Sequence, residues 1–121
     1  MTFGFSIKNT TRRRIPKAKF ELIKDYILGK RYELSLVFCG DALSRSLNRH
    51  YRDKDKATNV LSFKLSKDSG EIFINLYKMK KFSPTYLFVH GCLHLKGMEH
   101  GDTMNKAEKK YLNVASNHRW D

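Results

Sequence analysis

The sequence predicts one α+β domain, a small mixed and mostly antiparallel sheet packed with helices. Three observations predict it. Apolar residues recur at helical spacing in several stretches, short β-branched and aromatic runs lie between them, and 121 residues suffice for one core but not two. Phe3 to Ile7 alternates weakly and reads as an edge strand before the basic turn Thr10 to Pro16. Lys17 to Leu28 places Phe20, Ile23 and Ile27 on one helical face, with Gly29 beyond. Glu33 to Phe38 reads as a buried strand. Asp41 caps a helix carrying Leu43 and Leu47 toward Tyr51, and Arg52 to Lys56 is a charged loop. Asn59 to Leu65 and Glu71 to Leu76, joined by the turn Lys67 to Gly70, form an antiparallel hairpin. Ser83 and Pro84 open a helix ending near Gly97; Asp102 or Thr103 caps a last one through about Asn117.

The chemistry concentrates between His90 and His100, which holds three of the chain's five histidines. Residues four apart lie above one another on a helix, so His90 and His94 can aim at one point. Gly97 adopts the left-handed conformation that ends helices more easily than any other residue, letting the chain swing His100 toward the same point. Three protein ligands leave a coordination position open, which favours a catalytic site over a structural one. The helix is zincin-like with one departure. Gly91 stands where the zinc-protease motif carries its glutamate base, so no carboxylate can act from there.

The plainer reading is a partly exposed histidine pair and a surface histidine in a glycine-flanked loop. The glycine stop and the third histidine favour metal binding over it. Cys92, two residues from each helical histidine, points away and packs in the core. Cys39 remains open as a fourth ligand. His50 and His118 have no partner at comparable spacing and read as solvated or hydrogen-bonded.

The residues from His90 to His100 resemble the His-Gly-x-Leu-His-Leu-x-Gly-Tyr-Asp-His motif of the YbeY family of endoribonucleases, with Met98 and Glu99 in place of tyrosine and aspartate. A second block, Leu47 to Phe63, resembles the family's Leu-Asn-x-x-Tyr-Arg-x-x-Asp-x-x-Thr-Asp-Val-Leu-Ser-Phe, with Asn59 in place of aspartate. Gly70-Glu71-Ile72, Met104 and Glu108 continue the likeness, which runs from about Glu33 to Leu112. The segment from Ile72 to His90 is shorter than the family leads one to expect. The resemblance implies a metal-dependent, single-strand-specific endoribonuclease of ribosomal RNA maturation and ribosome quality control. It implies one zinc ion per chain on His90, His94 and His100, with nickel or another divalent ion satisfying the same donors. Arg52 and His94 are then catalytic. Arg52, Ser62 and Lys54 contact substrate, and Glu99 orients a ligand. Arginine suits phosphate because its planar fork can clamp a phosphodiester and offset developing charge.

Composition agrees with an anionic partner. Lys and Arg number 24 against 12 Asp and Glu, a formal charge of +12, and neutralising phosphate is what such a surplus does well. Basic residues group at Arg12 to Lys19, at Arg45 to Lys56 and at Lys78 to Lys81. No ribonucleoprotein or KH signature appears, so base recognition is not written in the sequence. Two cysteines in apolar surroundings suggest reduced thiols. With neither a signal peptide nor a membrane-spanning run, the expected location is cytoplasmic. Expected partners are single-stranded RNA, ribosomal RNA and the ribosome, with a ribosomal protein or assembly GTPase. Two other functions stay open: a non-catalytic RNA-binding assembly factor with a structural metal, and a metal hydrolase of peptides, which the missing glutamate and the charge oppose.

Overall fold

A computed structural model describes residues 4–98 and 101–117, the side chains of 114–117 excepted. The order is β1 (Phe5–Asn9), α1 (Phe20–Leu28), β2 (Glu33–Cys39), α2 (Asp41–Arg52), β3 (Val60–Ser66), β4 (Ser69–Asn75), α3 (Pro84–Leu95) and α4 (Asp102–Asn117). The sheet runs β1-β2-β4-β3. β2 and β4 are central, and the β2 sequence Leu-Ser-Leu-Val-Phe-Cys is nearly continuous in apolar residues because both its faces are covered. Leu36, Phe38, Ile72 and Ile74 on one face meet α1 and α3, where Phe20 packs edge-on against Phe88 at 5.1 Å. Alternation turns Phe63 and Phe73 to the other face, where Phe63 meets Tyr51 of α2 at 5.3 Å. α3 is buried on most of its circumference, between the sheet and α4, which adds Met104 to the core.

The mixed sheet and its helices match the expectation, but the balance leans parallel. β1 with β2 and β2 with β4 are parallel; only the β3–β4 hairpin is antiparallel. The reason lies in the connections. A hairpin needs only a short turn, whereas the links holding α1 and α2 are long enough to carry the chain back over the sheet. α1 begins at Phe20 rather than Lys17, and its N-cap, Lys19, makes no side-chain cap hydrogen bond. Gly40, not Asp41, is the N-cap of α2; the Asp41 carboxylate instead accepts from Asn75 Nδ2 at 2.8 Å. The hairpin turn is tighter than expected, β4 already starting at Ser69. Lys24 lies on the buried stripe of α1, its ammonium donating to Asp25 Oδ1 and Lys30 O at 3.1 Å each.

Candidate active site

Local sequence fixes both ends of the histidine helix. Ser83 Oγ accepts from the Tyr86 N–H at 3.0 Å, and Pro84 takes the first helical position, where a missing donor costs nothing. At the other end the Gly97 N–H donates to His94 O at 2.9 Å and the Met98 N–H to Leu93 O at 3.0 Å, with Gly97 at φ 101°. This pair of bonds is the glycine-closed helix end that the spacing predicts. Between these ends His90 and His94 bring their Nε2 atoms within 3.1 Å of each other.

Glu108, from α4, lies behind that pair. Its Oε2 is 2.8 Å from His90 Nδ1, and the residue is only 5% exposed. A carboxylate can only accept, so in the neutral ring Nδ1 carries the proton and Nε2 keeps its lone pair. Tyr86, stacked on His90, has its phenol pKa raised by burial first and then by the charge and hydrogen bond of Glu108. Two nitrogens held by one tetrahedral zinc would stand roughly 3.3 Å apart, so the 3.1 Å separation fits a shared cation. Among the described residues no third His, Cys, Asp or Glu completes a ligand group. His100 and Glu99 lie outside the described residues, as does His118.

A groove of about 670 Å³ borders His94. His94 contributes to its lining together with Arg52, Lys54, Lys56, Ser62 and Lys64. The guanidinium of Arg52 is anchored, its Nη2 donating to Ser62 O at 2.6 Å and its Cζ standing 5.1 Å from the Phe63 ring centre. It makes no ion pair among the described residues, which leaves its charge for a ligand. The loop after α2 is sewn to that helix. Ser44 Oγ donates to Thr58 O at 2.8 Å, Asn48 Nδ2 donates to Lys56 O at 2.9 Å, and both side chains are buried. Arg45 and Asp55 form a two-point pair at 2.8 and 3.1 Å across the exposed side of the loop, which holds the Asp55 pKa below its ordinary value.

Gly91 has a packing reason. A Cβ there would lie 3.0 Å from Ile72 Cδ1 and from Ser62 Oγ, so the position that zinc proteases give to glutamate is turned onto the sheet. Ser62 Oγ uses the closeness to donate to Gly91 O at 3.1 Å. Cys92 is fully buried in the core as expected, and burial raises its thiol pKa. Cys39 is also fully buried and, among the described residues, joins no ligand group with the histidines; burial and the Asp41 charge push its thiol up to about 11. His50 packs edge-on against Tyr51 at 4.5 Å. The sequence reading missed Glu108 and Lys64 as site residues. Their signals were an acid on the stripe of α4 shared with Met104, and a lysine at period two with Val60 and Ser62 on β3.

The family model described as Endoribonuclease YbeY matches residues 5–116. The chain belongs to that family. One YbeY relative, from Treponema denticola, is 36% identical over 113 residues, spanning 76% of this chain and 71% of its own length. Another, from Phytoplasma mali, is 40% identical over 88 residues, 62% of this chain and 60% of its own length. The solution structure of TM1509 from Thermotoga maritima shares the fold at a TM-score of 0.55 and 21% identity, covering 92% of this chain and 88% of that one. Family membership thus rests on sequence, and the topology described above is that of a solved protein.

Proposed function

We propose that this chain is a metal-dependent endoribonuclease that cleaves single-stranded RNA in ribosomal RNA maturation, at the 3′ end of the small-subunit RNA, and in ribosome quality control. The observation that carries the reading is one groove lined by both His94 and Arg52, with His90 and His94 spaced for a common cation. The relatives carry the endoribonuclease name, which disfavours a non-catalytic assembly factor. The cytoplasm is the expected compartment, and the ribosome, through a ribosomal protein or assembly GTPase, the expected partner.

His90 and His94 would hold the cation with His100, zinc by family resemblance and nickel or another divalent ion by donor type. Once bound, it supplies a Lewis acid for a phosphate oxygen or for water. The chain's own residues do the rest. Glu108 keeps His90 in the tautomer whose Nε2 is a donor of electrons rather than of a proton. Arg52, already anchored on Ser62 O, clamps the phosphodiester with its remaining N–H groups and offsets the charge that grows on the phosphoryl oxygens. Lys54, with Lys56 and Lys64, neutralises flanking phosphates along the groove, and Ser62 holds the groove wall to α3. The Glu99 carboxylate is assigned a ligand-orienting role from its place in the motif.

The test is cleavage of end-labelled single-stranded and duplex RNA by metal-loaded protein beside His94→Ala and Arg52→Ala purified identically. Single-strand cleavage is expected, with both variants slowed by about 10²-fold or more. Equal rates in all three proteins would refute the assignment.

A further inference from the structure

The strongest unassigned feature is a concentration of positive charge at the end of the sheet where β1, β2 and β4 finish. No acidic residue occurs from Met1 to Phe20 or from Asn75 to Met98. The first of these stretches holds Lys8, Arg12, Arg13, Arg14, Lys17 and Lys19; the loop after β4 holds Lys78, Lys80 and Lys81. Far apart in sequence, the two segments are clamped together by Arg13. Its Nη1 donates to Leu76 O at 3.1 Å and its Cζ lies 3.9 Å from the centre of the Tyr77 ring.

The turn that presents these charges is preorganised. Asn9 Nδ2 donates to Arg13 O at 2.7 Å, and Asn9 Oδ1 accepts from the Thr11 N–H at 2.9 Å. Thr10 fixes the start of the turn to β2, its N–H and Oγ1 both donating to Phe38 O at 2.9 Å. Like charges gathered this way repel, which a fold would ordinarily relieve with interspersed acids. Here Arg12, Arg14, Lys80 and Lys81 are exposed and make no ion pair among the described residues. One nearby carboxylate, Asp41, accepts from Asn75 Nδ2, and Glu21 stands in the first turn of α1. None of the four cations lines the groove that holds Arg52 and His94.

We propose that the Arg12–Arg14 turn and the Lys80–Lys81 loop form a second RNA-anchoring surface, which grips phosphates of the substrate beyond the segment held in the groove. The proposal rests on the RNA-cleaving reading above and adds to it a division of labour: the groove acts on one segment, and the anchor selects for long RNA. RNA is favoured over a lipid surface because the chain's groove is also lined with cations, so one phosphate-rich strand can engage both surfaces.

The experiment compares wild type with a quadruple variant, Arg12→Gln, Arg14→Gln, Lys80→Gln and Lys81→Gln, leaving the Arg13 clamp intact. Affinity is measured across a salt series for a long single-stranded RNA and for an oligonucleotide that covers only the groove. Each phosphate contact on a single strand contributes about 0.7 to the salt slope, so the long-RNA slope is expected to fall by about 3. Affinity for long RNA should drop at least tenfold at low salt, while binding and cleavage of the short oligonucleotide stay unchanged. A variant carrying only Arg12→Lys and Arg14→Lys, with Lys80 and Lys81 intact, should keep nearly the full slope, which separates lost charge from a damaged turn. Unchanged long-RNA slopes in the quadruple variant overturn the anchor, even if wild type cleaves RNA. A lowered slope with no cleavage by wild type keeps the anchor and removes the nuclease reading instead. An equal loss of binding to phosphatidylglycerol vesicles would show a general polyanion surface and overturn the RNA assignment.

Discussion

His90 uses both of its ring nitrogens, and that division explains why a buried acid sits beside it. Nδ1 is committed to Glu108 and Nε2 is brought to His94, so the carboxylate acts on the site through the imidazole. Glu108→Gln keeps the shape and removes the charge. Gln can present either its oxygen or its NH₂ to the ring, so the tautomer is no longer enforced. Zinc affinity measured with a competing chelator is expected to fall about 10–100-fold, and the nitrogen-15 shifts of His90 should show a second tautomer. Unaltered affinity together with a single tautomer would mean that Glu108 is only a core contact. Spacing alone puts His90 and His94 on one face of the helix, and the backbone freedom of glycine puts the stop at Gly97. Glu108 shows in the sequence only as an acid on the Met104 stripe of α4; spacing does not give its contact with His90, which lies on another helix.

At the scale of elements, the part that positions Arg52 is the joint between α2 and the loop following it. That stretch reads in sequence only as a charged loop, yet two buried side chains of α2, Ser44 and Asn48, take up its backbone groups. Asn48→Ala removes the buried donor to Lys56 O, at a cost of about 0.5–1.5 kcal/mol. Chemical denaturation should show that loss, and RNA cleavage should fall more than folded fraction explains, because the loop carrying Lys54 and Lys56 loosens. A stability loss with full activity per folded molecule would sever the link between loop order and catalysis. Most elements could be read directly, since apolar periodicity determines whether a segment is helix or strand. Strand direction could not. The β3–β4 hairpin announces itself through its short turn, whereas the parallel pairing of β2 with β4 spans the whole of α2 and β3 and depends on packing against α3.

Across the whole molecule, α4 is the element whose attachment bears most directly on the proposed metal. It meets α3 through Met104 and Glu108, and Tyr111 packs edge-on against Tyr26 of α1 at 6.0 Å. The proposed ligands bracket the connection between these helices in sequence, His90 and His94 on α3 and His100 just before α4. An ion bound by all three would close that connection and, through His90, strengthen the hold of Glu108 on α4. Whatever binds the native state alone stabilises it by mass action, about 2.7 kcal/mol at a free concentration one hundred times Kd. Adding zinc to chelator-treated protein should therefore raise Tm and slow amide exchange in α4 and the second half of α3 more than in the strands. His94→Ala should fold, since the residue borders the groove, and lose both effects. If it shows the same zinc-induced protection as wild type, the ion binds elsewhere and the histidine helix is a packing element alone.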